Sequence, residues 1–283
     1  MRVHHINCGT MCPMGGRLLD GKTAGLGPAH LVCHCLLIET DAGLVLVDTG
    51  FGMQDVQNPR ARLPRFFTNL NNIRFDPQDT ALARVKALGF RPLDVRHVVL
   101  THLDFDHAGG ISDFPLATVH VFATEARIAR ERKGALRRLR YRPEQWSAHE
   151  RWREYEVSGE RWFGFEAVRD LDELPPDILL IPLAGHTLGH CGVAVQAAGG
   201  WLLHAGDAYF FRGEMDPQHP HAPAGAGFYE RMMQMSGRLR AANQQRLRAL
   251  VAEHRADLTV ICSHDAVELE QSQAQPHAKL AAE

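Results

Sequence analysis

His102-Leu103-Asp104-Phe105-Asp106-His107, followed by Ala108-Gly109-Gly110, is the stretch on which the fold of this 283-residue chain is decided. The β-branched run His97-Val98-Val99-Leu100 leads straight into it and reads as a strand. A tight loop after a strand can aim four imidazole and carboxylate groups into one small volume. Zn, Fe or Mn at a hydrolytic site needs that donor set. The glycines that follow let the backbone turn closely beside such a centre. The alternative is a solvated acidic loop with chance histidines, and three later features weigh against it.

Gly185-His186-Thr187-Leu188-Gly189-His190 follows an apolar run from Ile178 to Leu183. Ala205-Gly206-Asp207 follows Trp201 to His204, and Ser263-His264-Asp265 follows Leu258 to Cys262. Each sets a metal-ligand type just past a strand end. One such residue would be weak, since a histidine after a strand usually serves hydrogen bonding, but four in series point to one centre. Further out, Leu31 to Glu39 and Leu44 to Asp48 read as a hairpin turned at Thr40-Asp41-Ala42-Gly43. Residues 51–78 show no clean period and read as an irregular insertion. Helix is predicted over 79–88, from Ala123 to about Trp152, and through Tyr229 to His254, where apolar residues recur near helical spacing. Strands outnumber helices in both halves, so the pattern is α/β, with two sheets facing each other and helices outside. We expect a single domain over 1–270, with insertions at about 51–78, 125–170 and 211–228, and a flexible tail over 271–283.

Hydrophobic residues make up 45% and charged residues 23%, a balance that excludes disordered and fibrous classes. No apolar run approaches the ~20 residues needed to span a bilayer. The opening Met1-Arg2-Val3-His4-His5 carries no apolar core of a secretion signal, so the expected location is cytoplasmic and no membrane partner is expected. Six cysteines in such a chain do not make a disulfide framework. A zinc site from Cys8, Cys12, Cys33 and Cys35 is disfavoured, because paired CxxC spacing is absent and cysteine commonly packs as a small hydrophobe.

With these motifs in this order, the sequence resembles the metallo-β-lactamase superfamily from about Leu31 to Asp265. The resemblance implies an αββα sandwich of two facing mixed β-sheets with outer helices. It also implies a binuclear centre: His102, Asp104 and His186 for one divalent metal, Asp106, His107 and His264 for the other, and Asp207 bridging. Asp48 and His190 would support the loops. The usual motif is HxHxDH, and here Asp104 replaces the second histidine. Three carboxylates and a hydroxide would then offset two divalent ions completely, giving a weaker Lewis acid. Carboxylate for imidazole also moves the first position toward Mn or Fe, with Zn still compatible.

Within the superfamily, HLDFDHAGG, Gly206-Asp207-Ala208-Tyr209 and Ser263-His264-Asp265 look most like the N-acyl homoserine lactonases. This implies a metal-dependent hydrolase acting on a carboxylic ester or lactone. A hydroxide between the metals would attack the carbonyl, with Tyr209 as donor to the oxyanion and Asp106 as proton shuttle. For Tyr209 the alternative is a packed core aromatic. The basic stretch Arg127 to Arg142 could grip a phosphate, as a phosphodiesterase or ribonuclease of this fold would require, but a solvated helix face is the commoner explanation of such a run. The net charge of -2 gives a polyanion partner no support. Trp146, Trp152, Trp162 and Phe163 are expected to form an apolar lid, which suits a small-molecule substrate with an apolar group. An iron-dependent redox protein related to flavodiiron cores is a further alternative; those proteins carry a flavin-binding domain that no stretch after Asp265 is long enough to supply.

Overall fold

The computed structural model describes residues 1–166 and 171–274. Seven strands form the first sheet: β1 (Arg2–Met11), β2 (Leu31–Thr40), β3 (Gly43–Val47), β4 (Ile73–Arg74), β5 (Val95–Val99), β6 (Thr118–Phe122) and β7 (Trp152–Tyr155). Their order is β4-β1-β2-β3-β5-β6-β7, antiparallel through β3 and parallel from β3 to β7. A short ribbon, β8 (Arg161–Trp162) and β9 (Phe165–Glu166), precedes the second sheet. That sheet is β10 (Ile178–Pro182), β11 (Cys191–Ala197), β12 (Gly200–His204) and β13 (Leu258–Ile261), with only the last pair parallel. The helices are α1 (Arg17–Asp20), α2 (Met53–Gln57), α3 (Pro59–Arg62), α4 (Arg65–Leu70), α5 (Ala81–Ala87), α6 (Ala123–Glu131), α7 (Ala135–Arg140), α8 (Pro143–Trp146), α9 (Ala224–Met233), α10 (Gly237–His254) and α11 (Ala266–Ala274).

Alternation along the strands explains the layering. Leu36, Ile38, Val45 and Val47 of the first sheet pack against Ile178, Leu180, Val193, Val195 and Leu202 of the second. Their neighbours Leu37, Leu44 and Leu46 face the other way, onto Ala81 and Val85 of α5 and Ala126, Ile128 and Ala129 of α6. On the far side, Leu179, Ile181 and Leu203 meet Leu247 and Leu250 of α10. Strands buried on both faces lose polar alternation and read as continuous apolar runs. The result is the expected αββα sandwich.

Several elements differ from expectation. The helix predicted from Ala123 to about Trp152 is broken into α6, α7 and α8, because Arg132 and Gly134 take positive φ angles and Pro143 starts a new turn. The helix predicted over Tyr229 to His254 is two: Gln234 leaves helical geometry and the Ser236 hydroxyl caps α10 by accepting from the Leu239 N–H. Residues 51–78 hold three short helices rather than irregular chain. Strand β1 went unread, since its polar residues His4, His5, Asn7 and Thr10 mask a burial pattern set by pairing with β2. Helix α11 carries ordered chain to Ala274, past the expected start of the tail, and residues 275–283 lie outside the described residues. Among the described residues no helix is long and apolar enough to cross a membrane.

Two buried histidines in the first sheet make stability depend on pH. His97 Nδ1 lies 3.0 Å from His120 Nε2, and His120 Nδ1 lies 2.8 Å from the Tyr155 hydroxyl. Burial, then the neighbouring His97 and Arg153, push His120 down to about 3, and burial also lowers His97. Both are therefore neutral in the fold, while an unfolded histidine binds a proton near pH 6.5. Their stabilisation is complete above that value and is lost as pH falls from 6.5 toward 3. At pH 5 the His120 contribution lost is about 2 kcal/mol, or roughly 4–8 °C in melting temperature for a chain of this size. Thermal melts from pH 7.5 to 5.0 should show this slope, flattened in His120→Gln; equal slopes in the two proteins would contradict the assignment.

Candidate metal centre

Parallel pairing brings the functional loops to one edge of the sandwich. The last residues of β3 and β5 are in register, Val47 with Val99, as are those of β12 and β13, His204 with Ile261. The loops carrying Asp48, the 102–107 run, Asp207 and His264 therefore leave side by side, and the loop after β10 adds His186. The cluster draws on both sheets, with His102, Asp104, Asp106 and His107 from the first and His186, Asp207 and His264 from the second.

All seven of these residues are buried and converge. Asp207 sits at the middle, its carboxylate reaching both halves, with His264 Nε2 close to both of its oxygens. Its Oδ2 lies 3.2 Å from His186 Nε2 and 3.8 Å from His102 Nε2, while Oδ1 lies 3.3 Å from His107 Nε2 and 3.2 Å from His264 Nε2. Asp104 Oδ2 is 3.3 Å from His102 Nε2 and 3.0 Å from His186 Nε2. Asp106 stands 3.9 Å from His107 Nε2 and 3.7 Å from His264 Nε2. The His102–His186–Asp207 and His107–Asp207–His264 groups each have ligand atoms within 4.8 Å of one another, close enough to share an ion.

Hydrogen bonds behind the cluster turn the imidazoles so that Nε2 faces inward. His107 donates from Nδ1 to Asp48 Oδ2 at 2.8 Å, His264 donates to the Val32 carbonyl at 2.8 Å, and His102 Nδ1 lies 2.9 Å from the Thr101 hydroxyl. Asp48, held at a φ of 56°, also accepts from the Thr101 N–H and hydroxyl, so one carboxylate ties β3 to the ligand loop. The inward Nε2 atoms of His102 and His107 are buried and have no hydrogen-bond partner. Buried ring nitrogens so placed, beside carboxylates, fit divalent cations. His190 lies behind them: its Nε2 accepts from the Asp207 N–H at 2.9 Å, and its Nδ1 donates to the Leu183 carbonyl. Gly206, at a φ of 56°, makes room for this, since a Cβ there would lie 2.5 Å from His190 Nε2.

Tyr209 does not join the cluster, contrary to expectation. Its side chain is fully buried among Leu203, Met215 and Leu247, and its hydroxyl donates to Glu268 Oε1 at 3.0 Å. The phenol beside the centre is Tyr229 of α9. A cavity of about 30 Å³ sits over the cluster, lined by Asp104, Asp106, His186, Asp207 and His264 on its floor and Met11, Leu31, Phe105, Phe210, Tyr229 and Met233 around it. Burial, then the charge of Asp106, raises the Tyr229 pKa, so its hydroxyl stays protonated, with Asn71 beside it. Nothing in the sequence marked Tyr229, which lies in a helix read only for core spacing. The expected tryptophan lid is also absent from this cavity: Trp146 packs on Trp152 outside the first sheet, and Trp162 packs on Phe163 and Trp201 outside the second. The cavity is instead capped by α9, which packs against α1.

Two more residues lie at the cluster in places the sequence did not assign them. The Cys33 thiol comes within ligand reach of Asp106 and His264, so a soft donor adjoins the second half of the cluster. Arg140, hidden in the basic stretch, is buried and spans the Asp104 carboxylate, its Nε 2.8 Å from Oδ1 and 2.9 Å from Oδ2. Burial alone would raise the Asp104 pKa, but the Arg140 charge and two histidines hold it well below the usual carboxylate range. Arg140 also sets one positive charge against Asp104, a charge that counting ligands alone left out. The rest of the stretch is mostly surface ion pairs, such as Arg130 with Glu154 and Lys133 with Glu131.

Comparison with known proteins agrees with this architecture. The profile of the Metallo-beta-lactamase superfamily matches residues 29–242. A probable metallo-hydrolase of Mycobacterium tuberculosis is 42% identical over 94% of this chain and 80% of its own length. An N-acyl homoserine lactonase of Bacillus thuringiensis is 26% identical over 74% of this chain and 79% of its own. Among solved structures, an N-acyl homoserine lactone hydrolase with N-hexanoyl-L-homoserine at its catalytic metal centre superposes with a TM-score of 0.69 at 22% identity, covering 95% of both chains.

Proposed function

This chain belongs to the metallo-beta-lactamase superfamily and is a metal-dependent hydrolase, and from that premise we propose that it cleaves a carboxylic ester or lactone at a binuclear centre. The observation that carries this reading is the cavity: its floor is the imidazole and carboxylate cluster, its walls are mostly apolar with Tyr229 and Asn71 as the polar groups, and none of its lining residues is Lys or Arg, Arg140 being engaged by Asp104 and His186. A phosphodiester would call for basic groups there. The likeness to lactonases supports the same class of substrate.

His102, Asp104, His186 and Asp207 would hold one divalent ion, and Asp106, His107, His264 and Asp207 the other, with Zn, Mn and Fe all compatible with the donors. When bound, such a pair supplies an activated water and polarises the carbonyl. The protein's own groups do the rest. Tyr229 donates its hydroxyl hydrogen bond to the carbonyl oxygen as negative charge develops there. Asp106, at the cavity floor, holds the proton on its way to the leaving alkoxide. Phe210, whose ring lies against those of His186 and His264, keeps water from that side of the centre. A cavity of about 30 Å³ has room for about two waters, so a larger substrate would require the α9 and α1 cap to shift outward or would enter by the adjoining cavity that shares Leu31, Phe210 and His264. The six unpaired, buried cysteines support a reducing compartment such as the cytoplasm.

A panel of lactones, aryl esters, thioesters and phosphodiesters, assayed on protein loaded separately with Zn, Mn and Fe, tests the reading. Carboxyl-ester or lactone turnover is expected. Tyr229→Phe should lower that turnover by about 10²-fold or more with metal content unchanged, whereas Tyr209→Phe should lower the melting temperature instead. Phosphodiester cleavage with no carboxyl-ester activity would overturn the substrate class, and an unaffected Tyr229→Phe would remove that hydroxyl from the mechanism.

A further inference from the structure

Of the two arginines buried among the described residues, Arg62 lies behind the metal loop, while Arg140 reaches into the ligand cluster itself. Besides spanning Asp104, its Nη2 lies 2.9 Å from His186 Nε2 and donates to the Met233 carbonyl at 2.7 Å, and its Nη1 donates to the His186 carbonyl at 3.3 Å. Its position is fixed by backbone: Asp104 and Tyr141 form an antiparallel bridge, which sets the residue before Tyr141 beside the Asp104 side chain.

This matters because a neutral imidazole has one acceptor nitrogen. His186 Nε2, the atom an ion would need, lies 2.9 Å from the guanidinium as well as 3.0 Å from Asp104 Oδ2, so the guanidinium competes with an ion for it. The histidines also differ in how they are held. His102, His107 and His264 each have Nδ1 engaged, by Thr101, Asp48 and the Val32 carbonyl, so their Nε2 atoms are preset as ligands. His186 Nδ1 is buried with no partner. On the far half of the cluster the group behind His107 is a carboxylate, Asp48, which strengthens the imidazole as a donor to a cation. One half is thus backed by negative charge, and the other shares two of its ligands with a fixed cation.

We propose that Arg140 makes the two metal positions unequal. The position formed by Asp106, His107, His264 and Asp207 fills first and tightly. The position formed by His102, Asp104, His186 and Asp207 fills later and more weakly, and only as the guanidinium swings off His186 while keeping Asp104. Arg140 is here a positioning residue that sets metal occupancy, and the inference rests on the ligand assignment proposed above.

The test is a calorimetric titration of metal-free full-length protein with Zn²⁺, paired with metal analysis after desalting at limiting and excess ion. Wild-type protein should show two steps, the second at least tenfold weaker than the first. Arg140→Met should tighten the second step by tenfold or more and leave the first unchanged. Arg140→Lys, which retains a charge near Asp104 but cannot span both partners, should fall between and guards against a folding failure in the methionine variant. Two equal steps in wild type, or a second step unmoved in a folded Arg140→Lys or Arg140→Met, would overturn the proposal. Failure of wild-type protein to bind any Zn²⁺ would instead strike at the ligand assignment, so the two failures are distinguishable.

Discussion

Asp207→Ala is expected to lose metal from both halves of the centre and to lower kcat/KM by at least about 10²–10³-fold, the scale seen when one preorganised charge-stabilising group is removed. The Asp207 carboxylate reaches imidazoles of both halves: Oδ2 lies near His102 and His186, and Oδ1 near His107 and His264, with His264 also 3.3 Å from Oδ2. Its backbone N–H is fixed by His190 and its place in the turn by Gly206, so the carboxylate cannot be replaced by a neighbour shifting inward. Without it, four histidines converge on a site lacking its central negative charge. Metal analysis should show loss at both positions, and Asp207→Asn, which keeps the shape and removes the charge, should behave nearly as badly. Full metal content with activity within a few-fold of wild type would mean that Asp207 is not shared between the halves.

The largest effect on stability is expected from Asp55→Ala. Asp55 lies in α2, fully buried, and pairs with Arg62 at 2.6 Å while accepting from the Gly52 N–H and the Gln145 amide. Gln145 also donates to the Phe105 carbonyl, and Arg62 reaches the carbonyls of Glu144 and Gly109. Two of these acceptors, Phe105 and Gly109, belong to the metal loop. Removing Asp55 leaves Arg62 buried without its counter-charge, which typically costs about 3–5 kcal/mol. For a chain of this length that is roughly 6–20 °C in melting temperature. Because replacing a buried pair by apolar groups is often neutral, Asp55→Ala combined with Arg62→Met should recover much of the loss. A fall of less than about 1 kcal/mol in the single variant would show that water reaches Arg62 and that the network does not brace the loop.

What the sequence revealed, and what it hid, follows the range of the interactions. The 102–107 run, His186, Asp207 and His264 could be found because each follows an apolar strand, a local pattern that survives without knowledge of the partner strand. The sandwich itself was readable from strands buried on both faces. Tyr209 was misplaced because two residues of offset after Asp207 decide whether a side chain points into the centre or back toward Glu268, and spacing alone does not fix that rotation. Tyr229, Cys33, Arg140 and Asp55 reach their positions through tertiary packing over long sequence separations. Arg140 was further concealed by its company, since the exposed arginines around it have the same local composition. The α6 to α8 breaks were missed because helix-favouring residues outnumber the few backbone positions, Arg132 and Gly134, that end the helix.

The division of the ligand set between the two sheets carries a thermodynamic consequence. Ions held by His102, Asp104, Asp106 and His107 on one side and by His186, Asp207 and His264 on the other would act as a staple across the sandwich, since the unfolded chain offers no such assembled set. Folding and metal uptake would then be linked functions. Apparent stability rises with the logarithm of free ion concentration once the sites begin to fill. The cell's metal supply would thereby set not only how active the protein is but also how long each molecule survives proteolysis, so scarcity would thin the population rather than leave it idle.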